Sequence, residues 1–292
     1  MKKRRQSKSF LMAGGLGNQL FILTAGIYYS LKNRENVIFD LSSYTNRNKP
    51  HASDIRSLNP DAIFQYRPCR WIVKAGLEQI LKRALFPTYT SSGVGYDPAL
   101  ESQVLENHIF GYFQTYKYLE QPEVRNLIDS LFLSSTSEWF GKCLSDMQEL
   151  PTVSVHIRRG DYMNLQDTFG ILSSDYYDSA IKLILENSSA KYARVLVFSD
   201  DFDLAKQLFS NLEISLPVQF AESPENSPEE TLMLMAQSDA LIISNSSFSW
   251  WAAQLGNKSK FVVRPSKWFR AMSDPEDLFP PQWHPQESQW EK

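Results

Sequence analysis

Cysteine is nearly absent. Cys69 and Cys143 are the two in 292 residues, far apart in the chain and in no metal-ligand spacing, which removes disulfide scaffolds and zinc modules from consideration. Two free thiols in a reducing compartment is the expectation, ahead of a single disulfide. Excess positive charge is absent too. Lys and Arg number 30 against 33 Asp and Glu, a net charge of −3, and a bulk nucleic-acid binder would be basic overall. Long hydrophobic runs are lacking. Lys2-Lys3-Arg4-Arg5 ahead of the apolar stretch 10–31 has the outline of a signal segment, but Gly14, Gly15, Gly17, Asn18 and Gln19 interrupt it. No continuous run reaches the ~20 residues of a membrane span. Neither secretion nor anchoring is expected. The reading is a cytoplasmic protein whose basic start is a solvated tail, with weak peripheral affinity for the anionic inner face of the membrane. The chain shows no internal repeat and no low-complexity block.

What is present is ordinary for a globular chain: 42% hydrophobic and 22% charged residues, with no signature of disorder. An aromatic content of 13% supplies ring faces for stacking, although most rings fill cores. The length suits two domains of roughly 100–150 residues. Strand and helix signals alternate, the pattern of parallel α/β folds. Strands are expected at 9–12, 37–40, 152–158, 194–198, 217–221, 240–244 and 261–263. Helices are expected at 20–31, 71–85, 175–186, 202–210, 229–236 and 248–255. The stretch 108–118 is aromatic and extended, 122–145 mostly helical, and 275–285 a proline-rich irregular tail. A boundary at Leu150-Pro151 would divide the chain into domains 1–150 and 151–292.

The densest chemical signal is His156-Ile157-Arg158-Arg159-Gly160-Asp161. Strand alternation sends Val153, Val155 and Ile157 to one face and Ser154, His156 and Arg158 to the other. The strand ends at Gly160, so His156 and Arg158 sit at its carboxyl end, where ligands bind in open α/β sheets. A guanidinium there presents forked donors matched to phosphate oxygens. Arg159 points the opposite way, with Asp161 as its expected partner in holding the turn. A solvated charge cluster at a strand end is the alternative, and the concentration of groups argues against it.

Three further segments lie between a strand and a helix or close a strand. Gly14-Gly15-Leu16-Gly17-Asn18-Gln19 lets backbone near Gly15 approach a ligand at a helix N-terminus. Its spacing is not the dinucleotide fingerprint, and a tight turn before a packed helix explains it equally well. Asn245-Ser246-Ser247-Phe248-Ser249-Trp250-Trp251 places three hydroxyls at a helix start. Capping accounts for one serine; three suggest that an oxyanion or a ribose is handled there. Its tryptophans are expected in the core. Ser199-Asp200-Asp201 closes a strand, and one carboxylate could hold a ribose hydroxyl or a base. Asp201-Phe202-Asp203 has the look of a two-carboxylate metal motif, but aspartates favouring a helix dipole are the expected explanation. No metal and no cofactor are expected. Phe110-Gly111-Tyr112-Phe113-Gln114 fits either a core strand or a sugar platform, with Tyr112 and Gln114 as acceptor-side candidates.

Taken together these segments resemble the bacterial α-1,2-fucosyltransferases of glycosyltransferase family 11. The likeness rests on 14–21 (GGLGNQLF), 111–114 (GYFQ), 156–162 (HIRRGDY), 198–201 (FSDD), 227–230 (SPEE) and 245–253 (NSSFSWWAA), in that order along the chain. It departs where Ile22-Leu23-Thr24-Ala25 replaces the usual Gln-Tyr-Ala, where Thr231 replaces an acidic residue, and in a longer basic tail. The resemblance implies a GT-B-like fold, two Rossmann-type domains facing a central cleft. Residues 1–150 would form a mainly acceptor-side domain and 151–292 the GDP-sugar-binding one. It also implies metal-independent, inverting transfer of fucose from GDP-fucose to O2 of a β-galactoside, in a galactose-terminated oligosaccharide or a lipid-linked glycan for lipopolysaccharide or capsule. Arg158 would bind the donor β-phosphate, with His156 and Asp161 beside it as catalytic candidates. Asn18, Ser199, Asp200, Ser246, Ser247, Phe248 and Ser249 would line the donor site with Gly15. Rival readings are an α-1,3 or α-1,6 linkage, a non-catalytic GDP-sugar-binding protein, and a metal-dependent enzyme using Asp201 and Asp203.

Overall fold

The computed structural model describes residues 7–41, 55–65, 87–160, 166–187, 190–224, 227–256 and 260–291. The chain separates into two compact units: Met1–Phe132 with Pro275–Phe279, and Leu133–Asp274 with Pro280–Lys292. The division therefore falls earlier than 150–151, and the reason is local. Ser137 caps the helix Glu138–Glu149, and the Glu230 carboxylate accepts from both the Ser137 amide (2.5 Å) and its hydroxyl (2.7 Å). A helix expected to close the first unit is thereby tied into the second.

In the first unit β1 (Lys8–Leu11) leads into α1 (Leu16–Asn33), followed by β2 (Val37–Asp40), β3 (Phe64–Gln65), β4 (Thr88–Thr90), β5 (His108–Phe110) and α2 (Pro122–Asp129). The strands form one parallel sheet in the order β3-β2-β1-β5-β4. α1 starts and ends beyond the expected 20–31 and is buried on most of its circumference. Gly26 permits this, because a Cβ there would lie 2.5 Å from the Phe39 ring. Leu31, grouped by spacing with the buried Leu20 and Leu23, is instead 39% exposed. The extended stretch 108–118 is strand only to Phe110, since Phe113 takes a left-handed backbone (φ 52°) and turns the chain out of the sheet. The helix expected at 71–85 lies outside the described residues.

The second unit continues with α3 (Glu138–Glu149), β6 (Thr152–Ile157), α4 (Ser174–Asn187), β7 (Arg194–Ser199), α5 (Phe202–Phe209), β8 (Val218–Phe220), α6 (Pro228–Ala236), β9 (Ala240–Ile242), α7 (Ser247–Gln254), β10 (Phe261–Pro265) and β11 (His284–Gln286). Its sheet is parallel, in the order β11-β10-β9-β6-β7-β8. Every residue of β6 is buried, as a central parallel strand covered on both faces requires. Val153, Val155 and Ile157 belong to one core with Tyr176, Tyr177, Ala180, Ile181 and Ile184 of α4. The intervening Ser154 and His156 are hydrogen-bonded to Ser238 and Ser244. Behind β9, the Lys260 ammonium donates to the carbonyls of Ala236, Ala252 and Leu255 at 2.6–2.8 Å, tying together the ends of α6 and α7. β11 arises within and just after the stretch read as irregular.

Counting outward from β6, the order runs β7, β8 on one side and β9, β10, β11 on the other. Open α/β sheets bind ligands outside the carboxyl ends of the strands, where this order reverses. In the second unit that point lies between β6 and β9; in the first it lies between β1 and β5. Among the described residues no helix is long and apolar enough to cross a membrane.

Candidate active site

The carboxyl ends of β6, β7 and β9 bring together three of the segments picked from the sequence. Arg158, just past β6, forms an ion pair with Asp200, just past β7 (Nη1 to Oδ2, 2.9 Å), and both side chains keep about a quarter of their surface in solvent (28% and 24%). The other Asp200 oxygen accepts the Arg159 amide at 2.8 Å. A single carboxylate thus fixes the backbone and side chain of adjacent residues. The neighbouring Gly160 allows this, since a Cβ there would overlap the Asp200 carboxylate. The reachable guanidinium is matched to oxyanion geometry and would meet an incoming phosphate while its carboxylate steadies it.

His156 sits at the carboxyl end of β6 and is buried. Its ring is 4% exposed, with Nδ1 2.8 Å from the Ser244 hydroxyl and the ring 5.6 Å from that of Phe248. Burial, with a further push from the Arg158 charge, lowers its pKa to about 3. At neutral pH it is an uncharged imidazole. Desolvation thus disfavours the charged form of this ring. His156 joins the ends of β6 and β9 and backs the Phe248 ring.

The three serines at the start of α7 divide by burial. Ser246 occupies the N-cap position, but its hydroxyl makes no capping bond, and Ser247 is partly exposed. Ser249, also assigned to the donor, is fully buried and donates to the Ser246 carbonyl at 3.1 Å, so its hydroxyl is turned into the helix. Ser199 is engaged in its own turn, accepting from the Asp201 amide (3.0 Å) and donating to the Asp201 carbonyl (2.9 Å). Asp201 caps α5 by accepting the Leu204 amide at 3.0 Å, the helix-start role expected for it. Trp250 and Trp251 are fully buried. Among the described residues no group of three or more His, Cys, Asp or Glu is placed to hold a metal ion. Asp161 lies outside the described residues, and the observed counterion of Arg159 is Glu291, at 2.7 Å.

Two structural roles belong to residues not among the sequence-predicted site candidates. Asn245 Nδ2 donates to the carbonyls of Phe169, Gly170 and Trp268, pinning two loops beside the site. Glu230, in a Ser-x-x-Glu capping pattern, turns its carboxylate to Ser137 while its amide donates to the Ser227 hydroxyl.

In the first unit, the reversal between β1 and β5 joins the other two segments. Gly14 takes a left-handed backbone (φ 75°), the turn into α1. Asn18, in the first turn of α1, accepts a hydrogen bond from Gln114 Nε2 at 2.9 Å. Gln114 is held by its amide to the Val94 carbonyl and reaches this place because Phe113 is left-handed, a conformation a bulky residue adopts at a cost. Gln19 is structural: it accepts from the Ile55 amide and donates to the Gly14 carbonyl. Gly15 is exposed, and among the described residues nothing stands where its Cβ would be, at the N-terminus of α1. Tyr112 is partly exposed and packs edge-on against Phe110.

Two parallel Rossmann-type sheets in one chain, with a guanidinium and a helix start at a strand-order reversal, define the class: a GT-B-like α/β transferase. The glycosyl transferase family 11 model matches residues 97–287, and the chain belongs to that family. It is 28% identical to the Escherichia coli alpha-1,2-colitosyltransferase, over 88% of this chain and 91% of that one. It is also 28% identical to the E. coli O-antigen biosynthesis glycosyltransferase WbnK, over 88% of this chain and 93% of the relative. Among solved structures, the NodZ alpha-1,6-fucosyltransferase soaked with GDP-fucose superposes with a TM-score of 0.50 at 13% identity, covering 86% of this chain and 93% of that one. At that identity the likeness concerns the fold alone.

Proposed function

We propose that this protein transfers L-fucose from GDP-fucose to O2 of a β-galactoside, with inversion at C1 and without a required metal. The observation that carries the reading is Arg158, held by Asp200 and partly open to solvent at the reversal point of the second sheet. The second unit would hold the donor, with Arg158 on the β-phosphate and Ser246, Ser247, Phe248 and Asp200 around the nucleotide. By the family resemblance Gly15 and Asn18 are further donor-binding candidates, and Tyr112 and Gln114 are acceptor-binding candidates. The acceptor would be a galactose-terminated oligosaccharide or a lipid-linked glycan, handled on the cytoplasmic side of the membrane.

In this mechanism the acceptor hydroxyl attacks fucose C1, the bond from C1 to the β-phosphate oxygen breaks, and GDP leaves from the opposite face. The hydroxyl proton passes to a base or to solvent. Arg158 opposes the negative charge growing on the β-phosphate, where preorganised charge lowers a barrier most. His156, neutral and buried, would support the site and carry no proton. Asp161 is the base candidate by proximity in sequence, and an arginine partner would weaken it as a base.

A second reading keeps the chemistry and changes the sugar. The similarity to an alpha-1,2-colitosyltransferase favours colitose as an alternative donor group, which differs from fucose in lacking one hydroxyl. The test incubates the protein in EDTA with GDP-fucose or GDP-colitose and a panel of β-galactosides, and reads donor use and product linkage by NMR. An α-1,2-fucosylated galactoside is expected. An α-1,3 or α-1,6 product, a need for added metal, or GDP-sugar binding without transfer would each overturn the corresponding part.

A further inference from the structure

We infer that Glu291 is a positioning residue of the phosphate site: through Arg159 it holds the turn that aims Arg158. The inference rests on the reading of Arg158 as the phosphate ligand. Arg159 is 3% exposed, and its Nη2 lies 2.7 Å from Glu291 Oε1. Among the described residues its Nη1 is buried without a hydrogen bond, and Glu291 is the carboxylate that anchors this guanidinium. A buried cation deprived of its counterion does not stay in place.

Glu291 is itself fixed from several directions. Its amide donates to the Ile171 carbonyl at 2.8 Å, and the Ser173 amide donates to Gln289 at 2.7 Å. Trp290 pairs antiparallel with Leu172 and lies against Gly170, whose left-handed backbone (φ 77°) and missing Cβ make room for the indole. Residues 284–291 thus run from their pairing with β10 to a carboxylate placed under Arg159.

From Arg159 the path to the phosphate ligand is one residue long. The Arg159 amide and the Arg158 guanidinium share the two oxygens of Asp200. A displaced Arg159 side chain pulls on a backbone whose amide is half of that clamp, and the other half sets Arg158. The ion pair also borders a cavity of ≈ 290 Å³ lined by Ser174, Gln207 and Asn211, a volume larger than that of acetate or formate.

The experiment compares wild type with Glu291→Gln, Glu291→Asp and Glu291→Ala, measuring kcat and KM for donor and acceptor, GDP affinity and the thermal midpoint. Glu291→Gln is expected to lower kcat about tenfold, a modest misplacement of a transition-state donor. GDP affinity should fall with it and acceptor KM should stay unchanged. Glu291→Asp should retain more activity than Glu291→Gln, and acetate or formate should restore turnover to Glu291→Ala. A wild type that binds GDP beside variants that bind and turn over equally well, even with a lowered midpoint, overturns this inference alone. A wild type that binds no GDP overturns the parent reading and this inference with it.

Discussion

His156 gives the sharpest quantitative consequence of the site's burial. An imidazole in an unfolded chain titrates near 6.5, whereas in the folded protein burial and the Arg158 charge bring it to about 3. Below pH 6.5 the unfolded chain takes up a proton that the folded ring refuses. The stability contributed by the neutral ring is therefore fully present above about 6.5 and is lost as pH falls toward 3. By linkage the loss reaches about 2 kcal/mol at pH 5 and about 4 kcal/mol at pH 3. His156→Gln keeps a polar side chain near Ser244 and removes the titration. The assay has two parts. Ring carbon-bound proton NMR over pH 4.5–8 should show a histidine resonance that fails to titrate in wild type and vanishes in His156→Gln. Urea unfolding at pH 7.5 and pH 5 should show wild type losing about 2 kcal/mol more than the variant over that interval. Parallel pH dependences, or a His156 resonance that titrates near 6.5, would refute the argument that the ring is kept neutral by desolvation. The same neutrality predicts no His156 limb in the pH profile of kcat.

Arg158→Ala should lower kcat/KM for the donor by at least about 10²-fold, the scale of one lost preorganised transition-state donor, measured by initial rates. Turnover near wild type would remove Arg158 from the mechanism. Gly26→Ala should destabilise the first unit by about 1–3 kcal/mol, because the added methyl meets the Phe39 ring of β2; equilibrium unfolding checks it. Lys260→Met should cost about 2 kcal/mol or more by leaving three buried carbonyls without their donor, with no change in donor KM if the folded fraction is assayed.

Much of this molecule can be read from its chain, for reasons that differ by element. β6 is legible because its alternation of Val and Ile with Ser and His reports two buried faces of unlike chemistry, and the same alternation selects Arg158 over Arg159. Asp201 is legible as a cap because an aspartate before an amphipathic run has a local partner three residues on. What escaped is what depends on distant partners. Glu291 gives no sign in sequence of reaching Arg159, and β11 is drawn into the sheet by β10 and not by its own residues, His284-Pro285-Gln286. The unit boundary was misplaced because Glu230 captures Ser137 from far along the chain. Ser249 and Ser246 look alike as letters, and only their position on the first turn of α7 separates a hydroxyl bonded into the helix from one left without a capping role. The protonation of His156 is not legible in the motif either, since a pKa follows from burial.

The central claim is that Arg158 holds the β-phosphate at the reversal point of the second sheet. Calorimetric titration of GDP and GMP into wild type and Arg158→Ala tests it most directly, because the two nucleotides differ by the group that Arg158 would touch. Wild type should bind GDP at least about tenfold more tightly than GMP, the ~1.4 kcal/mol lower end expected for a charge-assisted contact, and Arg158→Ala should lose that preference. A variant that keeps the full GDP-over-GMP preference would contradict the account.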